Sequence, residues 1–317
     1  MVKCENDNLT NNLLLDIKSA LWFNLNLIFL TLQITLTLFL IMKKIFILFA
    51  AFFLLSLVIS CGQKVSQSSE FSEFEIKCND GKVRNGGIYV PAGVKSKDAL
   101  PVIYMADGLV FKECGFGRMI DSLIEMKAIS PVVVACSFEN KKTVPGYNIA
   151  FRNAEYIETL AKNDNTLAEL YENHFNFFVD EFIPYIEKKA PVSKSPYIEK
   201  KAPVSKSAAD RIFFGTSNSA DFGITLSMRR QGLISEYWCY SPVFSNISEY
   251  GLLNSETSYR ICWGSKEEVG MDDYFPNLLK DIRKRGGQIH SWVYNGGHDR
   301  EWWKYWFSEE LKRRFPL

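Results

Sequence analysis

Residues 73–317 predict an α/β fold, a mostly parallel sheet with helices on both faces. Short apolar runs such as Pro131-Val-Val-Val-Ala-Cys136 and Arg211-Ile-Phe-Phe-Gly-Thr216 carry the unbroken hydrophobicity of strands buried on both faces. Segments with apolar residues at helical spacing lie between such runs, so strands alternate with helices along the chain. About 245 residues remain once the N-terminal stretch is set aside, which suits one large domain.

The elements follow in order. Strands are expected at 74–77 and 87–90, the second stopped by Pro91, and at 101–105, ending in Asp107-Gly108. Residues 118–128 have helical spacing through Met119, Leu123 and Ile124, and a strand at 131–136 follows. Residues 167–189 read as a long amphipathic helix. The strand at 211–216 runs directly into a helix at 218–231, closed by Gly232. Strands at 234–240, 259–263 and 288–294 and helices at 277–285 and 301–314 complete the domain. Only 18 residues run from Ser241 to Ser258, too few for a cap domain, so an open site is expected. Residues 184–195 (PYIEKKAPVSKS) are repeated letter for letter at 196–207. Two units do not make a solenoid, and one copy suffices to reach the next strand, so the duplication is expected to loop out without a functional role.

Composition excludes several classes. The chain of 317 residues has 37 Lys+Arg against 36 Asp+Glu, which excludes a polybasic nucleic-acid binder. Its seven cysteines are an odd count with no C-x-x-C, which argues against a disulfide scaffold or a zinc module. Cys136, Cys239 and Cys262 fall in expected strands as small hydrophobes. No metal cluster, phosphate loop or dinucleotide fingerprint occurs, and no cofactor is expected.

Of the first 60 residues, 39 are apolar, in runs at 21–41 and 45–59 separated by Lys43 and Lys44. The second run reads as a signal peptide over 42–60, with its positive start at Met42. Val58-Ile59-Ser60-Cys61 resembles a bacterial lipobox, in which Cys61 is diacylated and becomes the first mature residue. Residues 1–41 are then an upstream extension from a mis-chosen start codon; the rival is a helical hairpin of 21–41 and 45–60. Residues 61–72 form the lipidated cysteine and a polar tether. Either way the domain is expected to be exported and membrane-anchored, on a face the sequence does not name.

Gly215-Thr216-Ser217-Asn218-Ser219 sits where an apolar strand turns into a helix. A G-x-S-x-G elbow needs that context, with small residues letting strand and helix pack while the serine Oγ projects. Ser217 is the candidate nucleophile; the plainer alternative is a serine N-cap. Ser219 in place of the second glycine is expected to tolerate strained backbone less well. The order serine, acid, histidine excludes His174 as the base. His298, in Tyr294-Asn-Gly-Gly-His-Asp299, is the candidate base, and His290 lies within a strand. Glu267, after the strand at 259–263, is the candidate acid, with Glu268, Asp272 and Asp273 as rivals. The oxyanion hole would use the Asn218 amide and one near Gly108 or Leu109. Trp302, Trp303 and Trp306 fall at helical spacing and read first as core.

With these motifs in place, the chain resembles an esterase family of α/β-hydrolases. That family includes enterochelin, feruloyl and acetyl-xylan esterases, S-formylglutathione hydrolases and mycolyltransferases. The resemblance covers most of 73–317. It rests on Pro101-Val-Ile-Tyr-Met-Ala-Asp-Gly108, Arg152-Asn-Ala-Glu155-Tyr156, Phe178-Val-Asp-Glu-Phe-Ile-Pro184, the Ser217 elbow, Gly264-x-x-Glu267, and Gly296-Gly-His-Asp299 with Trp303. The last is similar to a GGHDWxxW motif, with Arg300 replacing the first tryptophan in the pocket wall. The resemblance implies an α/β-hydrolase fold without a large cap and a serine esterase acting on a small or polymer-linked ester. Arg152 and Glu155 are expected to form an ion pair near the site. The alternatives are a catalytically weak or inactive member that binds a glycan or siderophore, and an acyltransferase with the same triad.

Overall fold

The computed structural model describes residues 69–94, 99–162, 164–188, 204–253, 256–267 and 271–317, with scattered helical positions between 22 and 45. The chain divides into two compact units, Met1–Ser66 and Gln67–Leu317. In the first, no helix among the described residues is long and apolar enough to cross a membrane. Cys61, most of the expected signal peptide and tether, and residues 189–203 of the duplication lie outside the described residues.

The second unit is built on an eight-stranded sheet of order β1-β2-β4-β3-β5-β6-β7-β8. The strands are β1 (Glu70–Lys77), β2 (Val83–Val90), β3 (Val102–Met105), β4 (Val133–Ser137), β5 (Arg211–Thr216), β6 (Glu236–Tyr240), β7 (Ser258–Gly264) and β8 (Gln288–Tyr294). β1 and β2 pair antiparallel, β2 pairs antiparallel with β4, and every pairing from β4 through to β8 is parallel. The helices are α1 (Gly108–Glu113), α2 (Phe116–Glu125), α3 (Phe151–Tyr156), α4 (Glu158–Ala161), α5 (Asn165–Asn176), α6 (Ile183–Lys188), α7 (Asn218–Arg229), α8 (Met271–Lys284) and α9 (Arg300–Arg314).

Alternation along the strands sends neighbouring side chains to opposite faces. Val102 and Tyr104 join a core with α5, α7 and α8, while Ile103 and Met105 join one with α1, α2 and α9. The fold is therefore the expected three layers, and no cap interrupts the segment between β6 and β7 among the described residues.

Several boundaries differ from the sequence reading. β1 starts at Glu70, inside the expected tether, because Glu70 to Lys77 pair along the whole of β2. The long helix is interrupted by a π-helical turn at Phe177–Phe182, just before Pro184. Pro184 has no N–H to donate back along the helix and its ring needs room, and a widened turn supplies that room. α8 starts at Met271 and carries Pro276 within it, where a boundary was expected. The short helices α1, α3 and α4 have too few residues to show a period and escaped the reading.

Candidate active site

Ser217 joins β5 to α7 with φ 56° and ψ −129°, a conformation few non-glycine residues adopt. Its N–H donates to Tyr240 O at 2.9 Å, tying the turn to β6. It occupies the N-cap position of α7, yet its side chain makes no capping hydrogen bond, so the N-cap alternative does not describe it. A Cβ at Gly215 would run into the backbone of Ser219, which explains the glycine before the serine. Ser219 corrects an expectation. It lies inside α7, fully buried, and its Oγ donates to Thr216 O at 2.7 Å and accepts from Thr216 N–H at 2.8 Å. The strain sits at Ser217, so position 219 needs only a small residue.

Glu267 and His298 follow β7 and β8, the two strands beyond β6. A Cβ at Gly264 would run into Gly296, so the loops after β7 and β8 lie directly against each other. Lys266 N–H donates to Gly296 O at 2.9 Å and Ser265 N–H to Tyr294 O at 2.8 Å. Across this junction His298 Nδ1–H donates to Glu267 Oε2 at 3.0 Å. Glu267 Oε1 accepts from Gly264 N–H at 2.7 Å and Ser241 Oγ at 2.6 Å. Burial pushes the Glu267 carboxyl up, but the hydrogen bonds from His298, Gly264 and Ser241 outweigh it and hold it below the ordinary range. Among the rivals, Asp273 is exposed on α8, while Glu268 and the side chain of Asp272 lie outside the described residues.

Two residues that the sequence did not single out for these roles complete the support. Ser241, at φ 51°, donates to Glu267 and accepts from Trp303 Nε1 at 3.0 Å. Trp303 presents its ring to His298 edge to face at 4.7 Å. It therefore both packs in the core and lines the site. Trp302 stacks on Tyr294 and Trp306 packs against Trp292. His174 is buried in α5, and His290 is exposed on β8 beside Trp292.

Ser217 and His298 line one cavity of about 340 Å³, with Asp107, Arg152, Arg300 and Trp303 among its walls. Among the described residues no hydrogen bond joins Ser217 Oγ to His298; such contacts are often loose without a substrate. Arg300 pairs with Glu113 at 3.3 Å, so the residue in place of the expected tryptophan gives this wall a charge.

α3 ties the remaining pieces together. Arg152 donates to both oxygens of buried Asp107, at 2.6 and 2.5 Å, and Tyr156 OH accepts the Asp107 N–H at 3.2 Å. Asn153 Oδ1 accepts from Asn218 Nδ2 at 3.1 Å. One short helix thus fixes both segments expected to carry oxyanion donors. This corrects the expected Arg152–Glu155 pair. Asp107 lies in a left-handed turn between β3 and α1, and its buried carboxylate takes the arginine, while Glu155 faces His174 at 4.0 Å. Leu109 N–H donates to Glu139 Oε2 at 3.2 Å, and Glu139 also pairs with Lys141 at 3.2 Å. The expected Leu109 donor is thus taken by a buried carboxylate in this structure. Cys136, Cys239 and Cys262 are buried free cysteines in β4, β6 and β7. No group of His, Cys, Asp and Glu among the described residues is arranged to hold a metal ion.

This is the α/β-hydrolase fold, and solved structures share it. A ferulic acid esterase superposes with a TM-score of 0.58 at 16% identity, over 79% of this chain and 98% of that one. The enterobactin esterase FES from Shigella flexneri gives 0.54 at 14% identity, over 80% of this chain and 61% of that one. The fluorophosphonate-binding serine hydrolase F of Staphylococcus aureus gives 0.51 at 11% identity, over 78% and 98%. No family model matches the chain, and no curated protein matches it.

Proposed function

We propose that the chain is a serine carboxylic-ester hydrolase with Ser217 as nucleophile, His298 as base and Glu267 as the acid that orients it. The observation that carries this reading is the strained Ser217 sharing a cavity with a His298 whose Nδ1 is fixed by Glu267. With Nδ1–H committed to Glu267, Nε2 is left as the acceptor. Nε2 takes the Ser217 proton as Oγ attacks the ester carbonyl, and the tetrahedral oxyanion forms. The proton then passes to the leaving alkoxide, which departs as an alcohol. Water, deprotonated by His298, cleaves the acyl-enzyme; the acid leaves and Ser217 regains its proton. The Asn218 amide faces the oxyanion, and the Leu109 amide joins it when Glu139 releases it. Val110 and Trp303 are the apolar lining in an otherwise polar and charged cavity, which favours a short or polar acyl group over a fatty one. The lipobox-like sequence ending in Cys61 supports an exported, lipid-anchored protein.

One observation favours the weak or inactive alternative: the Leu109 amide is occupied by Glu139. A fluorophosphonate probe separates the two readings. Stoichiometric labelling, mapped to Ser217 by mass spectrometry and absent in Ser217→Ala, supports the hydrolase. An unlabelled wild-type protein that remains folded contradicts it.

A further inference from the structure

A second cavity of about 280 Å³ adjoins the Ser217 cavity, and Glu139 lines both. Gly86 pairs with Ser137, so the start of β2 lies beside the end of β4, at the sheet edge where β5 delivers Ser217. The two cavities are thus neighbours along one edge. The second is much larger than the ~30 Å³ of one water molecule.

Its walls are built for a polar group. His174 is 2% exposed, and its Nε2 has no hydrogen-bond partner. Burial, with the charge of Arg84 adding to it, drives the His174 pKa down to about 3, so the ring is neutral. Lys82, Arg84 and Lys142 also line the cavity. Arg84 is engaged by Asp80 at 2.7 Å, while Lys82 lies 4.0 Å from the same carboxylate. Lys142 has no ion pair among the described residues. Of the two carboxyls in the walls, Glu139 faces Lys141, and burial brings Glu155 up to about 7, which makes it partly protonated and able to donate.

We propose that this second cavity is a binding subsite for an oxyanion, a carboxylate or phosphate carried by the substrate, held by Lys82 and Lys142 in the cavity that the buried His174 backs. The placement rests on the esterase reading, because it makes the anion a distal part of the ester attacked by Ser217. The substrate class is then a two-part ester, reactive at one end and anionic at the other.

The test uses p-nitrophenyl monoesters of dicarboxylic acids from succinate to suberate, each matched to a neutral acyl ester of equal length. In the wild-type chain the ratio of anionic to neutral kcat/KM rises above one at a defined length. Lys142→Gln and Lys82→Gln each lower that ratio about tenfold and leave the neutral esters unchanged. Lys280→Gln, an exposed charge on α8, leaves both unchanged. A ratio at or below one at every length overturns the subsite. So does a ratio untouched by the two cavity lysines, or one lowered equally by Lys280→Gln. If neither series is hydrolysed, the esterase reading fails instead, and calorimetry with free suberate decides the subsite. Binding lost in Lys142→Gln supports it, and no binding to the wild-type chain overturns it.

Discussion

Glu267 accepts the Nδ1–H of His298 at 3.0 Å while Gly264 N–H and Ser241 Oγ, the nearest donors to its other oxygen, hold that oxygen in place. A carboxylate gripped in this way fixes one tautomer of the imidazole. Glu267→Gln can present an N–H where the acceptor stood, and kcat is expected to fall by about 10²–10⁴-fold with KM little changed. The carboxyl is held below its ordinary value in the fold. Its stabilising contribution is therefore present above about pH 4.5 and is lost as pH falls through the lower folded value. The stability deficit of Glu267→Gln, read by urea unfolding, should be largest at neutral pH and shrink in acid. A deficit that grows below pH 4.5 contradicts this.

Arg152 is the counter-charge of Asp107, whose side chain is 3% exposed. Arg152→Gln strands that carboxylate, at an expected cost of about 3–5 kcal/mol. The double variant with Asp107→Asn should recover most of this stability, because the stranded carboxylate is removed as well. Additive single-site effects in the double-mutant cycle contradict the coupling.

Glu139 sits on the Leu109 amide, so its removal should free an oxyanion donor. Glu139→Ala is expected to raise kcat for p-nitrophenyl acetate roughly 2–10-fold, a fraction of what such a donor is worth. A fall of similar size means that Glu139 holds the α1 turn in place rather than blocking it.

Glu155 and His174 make opposed contributions to acid stability. Burial lowers His174 to about 3, so the unfolded chain binds its proton first, and stability drops as pH falls from about 6.5 toward 3. Burial raises Glu155 to about 7 against the opposing charges of Arg84 and Lys82, and Asp80 adds to the rise; stability therefore falls as pH climbs from about 4.5 to 7. The two nearly cancel between 4.5 and 6.5, and His174 acts alone below that. Glu155→Gln should therefore stabilise the domain at pH 8, by about 3 kcal/mol at most, and have little effect at pH 4. Equal effects at both pH values contradict the pair of shifts.

The legible parts of the fold were those with a period or a strong apolar run. β5 and β8 fall on the residues expected, since RIFFGT and QIHSWVY are bounded by clear polar turns. The placement of Ser217, Glu267 and His298 at one edge was legible because each follows a strand end, where the topology collects side chains. Ser241 was not, since a lone serine after a strand carries no mark of the Trp303–Ser241–Glu267 chain it completes. α3 carries a recognisable motif in sequence but no helical period. Its six residues are too short for periodicity, and its role comes from long-range partners at Asp107 and Asn218. Glu139 was invisible for the same reason, because only the folded sheet sets the end of β4 beside Leu109.

The most direct test of the account is hydrolysis of p-nitrophenyl acetate and butyrate by the wild-type chain and by Ser217→Ala, with circular dichroism to show equal folding. The expected result is turnover by the wild type and a loss of at least about 10³-fold in the variant. Equal rates in the two proteins would remove Ser217 from the chemistry and contradict the account.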